Sequence, residues 1–298
     1  MNGVSVIICT YNRRDFLEHC LRSFTGQTIQ PENLEFIVVD NNSSDDTISI
    51  VKKYTGKIHS LTVVTESKIG LSHARNRGLH EAKYDWVCYM DDDAIAHKDF
   101  IERLFYVINH YSFDGFGGMF YPWYFTPKPK WLSSDFGKMT MLRSTTGELS
   151  KGKTVAGGIC AFKKDLLIQV GEFPVDIGMR GNIVGYGEEN YVQNKLWENG
   201  AVIGFDPSWK MDHLVADYKY TVGWHLQRHF AKGRDYQITA GKLSVMQKIK
   251  LGVRAFGMVI ILFVKNFFRW IGKKNYYWQN YILDTLSYTY KLFGRISV

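Results

Sequence analysis

Short apolar runs rich in β-branched residues alternate with helical patterns over the first ninety residues, and that alternation leaves few folds open. Residues 4–10, 34–40, 61–66 and 86–91 read as strands, and residues about 15–26, 44–55 and 70–82 read as helices. Strands separated by helices pair in parallel through right-handed crossovers, so the expectation is a mainly parallel sheet covered by helices on both faces. Asp15 marks one helix start, and Asp45 with Asp46 marks another, as acceptors for N-terminal backbone N–H groups. At 298 residues the chain can bury a full core, as one large domain or one domain with an appendage. No repeat or low-complexity segment interrupts it.

Charge divides the chain near residue 240. From Gly241 onward there are ten basic residues against one acid, Asp284, whereas residues 1–240 are close to neutral. The expected organisation is therefore a near-neutral body, 1–240, and a basic, aromatic helical tail, 241–298. The tail's uncharged core, 255–264, is ten residues long, about half of what a bilayer span needs. Val253, Phe256, Ile260, Phe263 and Phe267 recur at helical spacing between flanking lysines and arginines. Trp270, Tyr276, Tyr277, Trp278 and Tyr281 are residue types that favour the water–lipid interface. A helix lying in the plane of an anionic leaflet fits this pattern. Snorkelling lysines that stretch it into a span, or a helical pair packed on its own domain, are the alternatives. Nucleic acid is a poor partner, because the cations are interleaved with bulky aliphatics. Four widely spaced cysteines without a CxxC pair point to reduced, buried thiols. The first strand begins at Val4, which leaves no room for a signal peptide, so a cytoplasmic protein is expected.

The polar residues gather where the strands end. Ligands of open α/β sheets bind beyond the carboxyl ends of the strands. The first strand runs into Thr10-Tyr-Asn-Arg-Arg, not a Gly-rich loop, which counts against a dinucleotide-binding domain and a P-loop. The second ends at Asp40, whose carboxylate can accept from a base N–H or a ribose hydroxyl. The fourth ends in Asp91-Asp92-Asp93. Ionised carboxylates are costly to bury without a partner, so this cluster is expected at a solvated rim, where it suits Mg²⁺ or Mn²⁺ holding a diphosphate. Gly70-Leu-Ser-His-Ala-Arg75-Asn76-Arg77-Gly78 opens a helix with two guanidinium groups suited to phosphate or carboxylate.

Together these segments resemble the inverting family-2 glycosyltransferases of GT-A fold. The likeness rests on Val-Ser-Val-Ile-Ile-Cys-Thr-Tyr-Asn at 4–12, Ile-Val-Val-Asp40-Asn-Asn-Ser, the Gly70–Gly78 segment and Asp91–Asp93 in DxD position. Gly157-Gly158-Ile-Cys-Ala-Phe-Lys-Lys, Gly171-Glu-Phe and Gly187-Glu188-Glu189-Asn extend it, over about residues 3–235. The resemblance implies that Thr10, Asp40 and Arg75 hold the nucleoside, with Asp91 on the ribose and Asp92 in support. It implies Asp93 and Asp91 as metal ligands, with His213 completing the shell. Inverting transfer needs a carboxylate to take the acceptor hydroxyl proton, while the departing diphosphate is stabilised by the metal. Glu188 and Glu189 open a helical pattern after a glycine-rich approach; the family pattern favours Glu189 as base and Glu188 as its structural partner.

Gly157 and Gly158 precede an apolar strand, where they either admit an acceptor sugar to the backbone or make a turn of positive φ. The segment 119–131 holds three of the six prolines and many aromatics, a composition suited to a wall on which Trp123, Tyr124 or Trp131 stacks against sugar, or to a packed loop. Arg228 and Lys232 lie in a basic helical segment, Trp224–Arg234, suited to a diphosphate. That segment lacks the Gln-x-x-Arg-Trp pattern of processive synthases, so addition of a single sugar is expected. The resulting expectation is a Mn²⁺- or Mg²⁺-dependent hexosyltransferase at the inner membrane face. It would move sugar from a nucleotide-diphosphate donor, UDP favoured, to a glycan or lipid-linked saccharide. Transfer to a lipid phosphate, or a noncatalytic nucleotide-sugar or glycan-binding module with the tail as an assembly surface for a homo-oligomer, are the other readings.

Overall fold

The computed structural model describes residues 3–298. The chain forms two compact units, each discontinuous in sequence. The first takes residues through Trp123 together with Gly137–Val175 and Glu188–Leu214; the second takes Tyr124–Phe136, Asp176–Gly187 and Val215–Val298.

The first unit is a nine-stranded sheet with helices. Its strands are β1 (Val4–Thr10), β2 (Leu34–Asp40), β3 (Leu61–Thr65), β4 (Trp86–Asp91), β5 (Ala94–Ala96), β6 (Gly115–Trp123), β7 (Gly147–Glu148), β8 (Ile159–Lys163) and β9 (Ile203–Leu214). Its helices are α1 (Arg14–Phe24), α2 (Thr47–Tyr54), α3 (Leu71–Glu81), α4 (Phe100–His110), α5 (Lys164–Gln169) and α6 (Glu188–Glu198). The strand order is β3-β2-β1-β4-β8-β6-β9-β5, with β7 beside β9. The four strands legible in the sequence are parallel, but β8 then joins β4 antiparallel, and the remaining half is mixed.

Period-two alternation puts the core on both faces. Val4, Val6 and Ile8 of β1 pack with Leu17 and Leu21 of α1, while Ile7 points the other way toward Ala74 and Leu79 of α3. Gly78 sets that second contact, because a Cβ there would lie 2.4 Å from the Ile7 Cγ2. Helix starts differ in detail from the expectation. Asp46 precedes α2 without a side-chain cap, and Asp45 accepts from the Thr47 N–H at 3.0 Å instead. Asp15 lies inside the first turn of α1. All four cysteines are free thiols, and burial pushes Cys9 and Cys160 up to about 12, which keeps them protonated and unreactive.

The second unit is helical: α7 (Val222–Ala240), α8 (Val245–Gly272) and α9 (Trp278–Ile296). Helix α9 packs against both α7 and α8. A Cβ at Gly233 would stand 1.9 Å from the Lys291 carbonyl oxygen, and one at Gly294 2.0 Å from that of Phe230, so α7 and α9 meet backbone to backbone. Asn266 donates to the Thr285 hydroxyl at 3.2 Å between α8 and α9. Helix α8 has 28 residues, so the ten-residue uncharged core understates it. Among the described residues it is the one helix long and apolar enough to cross a membrane, and only 11% of its apolar window is buried. Trp131, by contrast, is buried with its carbonyl accepting from Asn280, so it belongs to this unit's packing and not to an exposed stacking wall.

Candidate active site

Parallel pairing aligns the carboxyl ends of the first strands. Thr10 is opposite Asp40, and Cys9 is opposite Asp91, so β1, β2 and β4 deliver their polar ends to one rim. Asp91 closes β4, and Asp92 and Asp93 make the tight connection to β5, which pairs with β9 so that Ala94 faces His213. The Leu214 N–H donates to the Asp93 carbonyl at 2.8 Å and fixes that register.

The rim is less solvated than the sequence suggests. Asp92 and Asp93 are only 6% and 7% exposed. What permits this is Arg13, a residue sequence reasoning did not single out. Its Nη1 lies 2.7 Å from Asp93 Oδ2 and 3.5 Å from Asp92 Oδ1. The signal available was a cation just past β1, whose end adjoins that of β4. Burial still lifts the Asp92 carboxyl above its ordinary range; Arg13 opposes the shift and Asp93 adds to it.

Asp91, Asp93 and His213 each offer a ligand atom, all within 4.8 Å of one another. His213 Nε2 is 3.3 Å from Asp93 Oδ1 and 3.9 Å from Asp91 Oδ2. Two carboxylates and an imidazole in this arrangement fit a divalent cation.

Arg75, on α3, joins this cluster to the acid pair. Its Nη1 donates to Glu188 Oε1 at 2.9 Å, and its Nη2 lies 4.0 Å from Asp91 Oδ1 and 3.4 Å from the Gly157 carbonyl. Arg75 is buried, with its guanidinium between the Glu188 and Asp91 carboxylates. Glu188 is 4% exposed, whereas Glu189 is half-buried. Burial first, and the Glu189 charge second, lift the Glu188 carboxyl despite Arg75.

Gly157 and Gly158 both have ordinary negative or extended φ, so the positive-φ turn is set aside. A Cβ on Gly158 would fall 2.1 Å from Asp91 Oδ2. One on Gly157 would be 3.0 Å from Arg75 Nη2 and 3.1 Å from Glu189 Cβ. The glycines therefore make room for the carboxylates and the guanidinium.

Asp40 is buried, its carboxylate accepting from the Ser43 N–H at 3.3 Å, and Thr10 is buried beside it. Trp123 ends β6 with its ring edge-on to His19, centroids 5.4 Å apart. Arg228 and Lys232 belong to the second unit, where both cations stand over the Tyr186 ring at 5.6 Å.

A family model described as Glycosyl transferase family 2 matches residues 5–171, more than half of the chain. The chain belongs to this family. Relatives include glycosyltransferase GlyA of Streptococcus pneumoniae, 33% identical over 40% of this chain and 18% of its own length. The glucosyl-dolichyl phosphate glucuronosyltransferase of Haloferax volcanii is 26% identical over 77% of this chain and 75% of its own length. Among solved structures, the mannosyltransferase PcManGT of Pyrobaculum calidifontis, in complex with GDP-Man and Mn²⁺, superposes with a TM-score of 0.61. It is 23% identical over 82% of this chain and 66% of that one. TarS 1-349 of S. aureus in complex with UDP-GlcNAc gives 0.60 at 16% identity, over 99% of this chain and 90% of that one. The fold is thus that of the GT-A glycosyltransferases, and the family match identifies the chain as a glycosyltransferase.

Proposed function

We propose that this glycosyltransferase is metal-dependent and inverting. It takes a hexose from a nucleoside-diphosphate donor, UDP favoured, and passes it to a hydroxyl of a glycan or lipid-linked saccharide at the inner face of the cell membrane. The observation that carries the reading is Arg75, whose guanidinium ties the acid pair to the carboxylate cluster. Donors bound by the solved relatives, GDP-Man and UDP-GlcNAc, support a nucleotide sugar.

Asp91, Asp93 and His213 would hold the divalent ion, which supplies Lewis-acid stabilisation of the diphosphate leaving group. Thr10, Asp40, Arg75, Asp91 and Asp92 serve the nucleoside, and the Ser43 N–H fixes the Asp40 carboxylate in orientation. Glu189 takes the acceptor hydroxyl proton as that oxygen attacks the anomeric carbon opposite the diphosphate, which inverts its configuration. Glu188 anchors Arg75, so its neighbour meets the acceptor beside a compensated charge. Gly157, Gly158 and Trp123 border the acceptor, and Arg228 and Lys232 offer the kind of charge a diphosphate takes. Incubation with a panel of nucleotide sugars and lipid-linked saccharides tests the reading. Metal-dependent release of one nucleoside diphosphate with a product of inverted anomeric configuration supports it, and a retained configuration overturns it.

Residues 241–298 form the membrane-associating part. Phe256, Ile260, Phe263 and Phe268 of α8 are exposed, and Lys250, Arg254, Lys265 and Arg269 share that helix. A helix of this length extends about 42 Å, enough to lie along or cross a hydrocarbon core of about 30 Å. Co-sedimentation with phosphatidylglycerol vesicles is expected, and Phe256→Glu with Ile260→Glu should abolish it. Equal pelleting of wild type and the double variant would count against the assignment.

A further inference from the structure

The Asp93 carboxylate has two differently used oxygens. Oδ1 faces His213 at 3.3 Å, and Oδ2 faces Arg13 at 2.7 Å. Arg13 stands at the N-cap of α1, and its side chain is 27% exposed, reaching in from the rim. The same Nη1 also lies 3.5 Å from Asp92. A fixed positive charge therefore sits against a group that would ligate a divalent cation. For a bare ion this is unfavourable, because the two positive charges repel across a partly buried, weakly screened gap. Arrival of a diphosphate changes the sign of the balance, since its negative oxygens are attracted by the metal and the guanidinium together.

We infer that Arg13 couples metal binding to donor binding, making the Asp91–Asp93–His213 site prefer a metal–diphosphate pair to the bare ion. Resting on the metal-dependent reading of the same site, this gives Arg13 a positioning and selectivity role that neither the ligands nor the acid pair supplies. Two properties follow from its chemistry. Its charge depresses affinity for the ion alone, and its fork of N–H donors rewards the ion that arrives with phosphate oxygens. Between turnovers the Asp92 and Asp93 carboxylates then stay partly compensated by the chain's own cation, which favours their burial.

The test is direct binding of Mn²⁺ by electron paramagnetic resonance, with and without UDP or GDP, for wild type, Arg13→Gln and Arg13→Lys. Gln keeps a hydrogen-bond donor while removing the charge, and Lys keeps the charge. Far-ultraviolet circular dichroism shows whether each variant is folded. Arg13→Gln is expected to bind bare Mn²⁺ about tenfold more tightly than wild type, with the enhancement by nucleotide reduced by a similar factor. Arg13→Lys should stay within about threefold of wild type for the bare ion. Equal or weaker bare-ion binding in Arg13→Gln, with nucleotide enhancement intact in a wild type that binds both, overturns the inference alone. Absence of Mn²⁺ and nucleotide binding in every form overturns the metal-dependent reading with it.

Discussion

Glu189→Gln is expected to lower kcat by about 10²–10⁴-fold while leaving donor binding in place. The substitution keeps the side chain's volume and removes the proton acceptor, so attack by the acceptor hydroxyl loses its general base. Glu188 provides the control within the same turn of α6. It is buried against Arg75 at 2.9 Å, and Glu188→Gln removes that guanidinium's nearest counter-charge, leaving the longer 4.0 Å contact to Asp91. Breaking a buried pair from one side costs about 3–5 kcal/mol, so this variant should lose thermal stability as well as activity. Steady-state kinetics with unfolding curves separates the two. If Glu188→Gln kept its stability and Glu189→Gln kept its kcat, the division of roles would be reversed or absent.

Gly158→Val should remove metal-dependent activity almost completely. Even a Cβ would stand 2.1 Å from Asp91 Oδ2, and the two methyl groups of Val cannot be placed without driving that carboxylate from the cluster. Loss of one ligand from a site of two carboxylates and one imidazole should weaken Mn²⁺ binding by at least about 10-fold. Titration of Mn²⁺ into the folded variant measures it. Gly157→Ala gives the graded comparison, because its nearest neighbours lie at 3.0–3.2 Å and include the ends of flexible side chains. A Gly158→Val protein with wild-type Mn²⁺ affinity would place the metal away from Asp91.

Much of the first unit is readable from sequence because its determinants are local. β1, β2 and β4 announce themselves by largely apolar runs, and the polar residue ending each is the one that reaches the rim. The sequence marks Asp91, Asp93 and His213, which the fold brings within 4.8 Å of one another, and the adjacent Glu188 and Glu189. What was not readable depends on contacts between residues far apart in the chain. β8 enters the sheet antiparallel to β4, and neither strand encodes that direction by itself. Arg13 meets Asp93 across 80 positions, and that meeting turns an expected solvated rim into a largely buried cluster. Gly158 precedes a strand like any turn glycine, and only the folded chain brings Asp91 against it. The charged residues bounding 255–264 hide a helix of 28 residues, because lysine and arginine are good helix formers whose heads reach solvent.

The most direct test of the account is the thermal stability of the full chain with UDP, GDP, dTDP and CMP, each with and without Mn²⁺, for wild type and Asp93→Asn. At one hundred times its dissociation constant a ligand adds about 2.7 kcal/mol, a shift readily resolved. The account predicts a Mn²⁺-dependent rise with one nucleoside diphosphate that Asp93→Asn abolishes. A rise that is independent of Mn²⁺, or one that survives in Asp93→Asn, would contradict it.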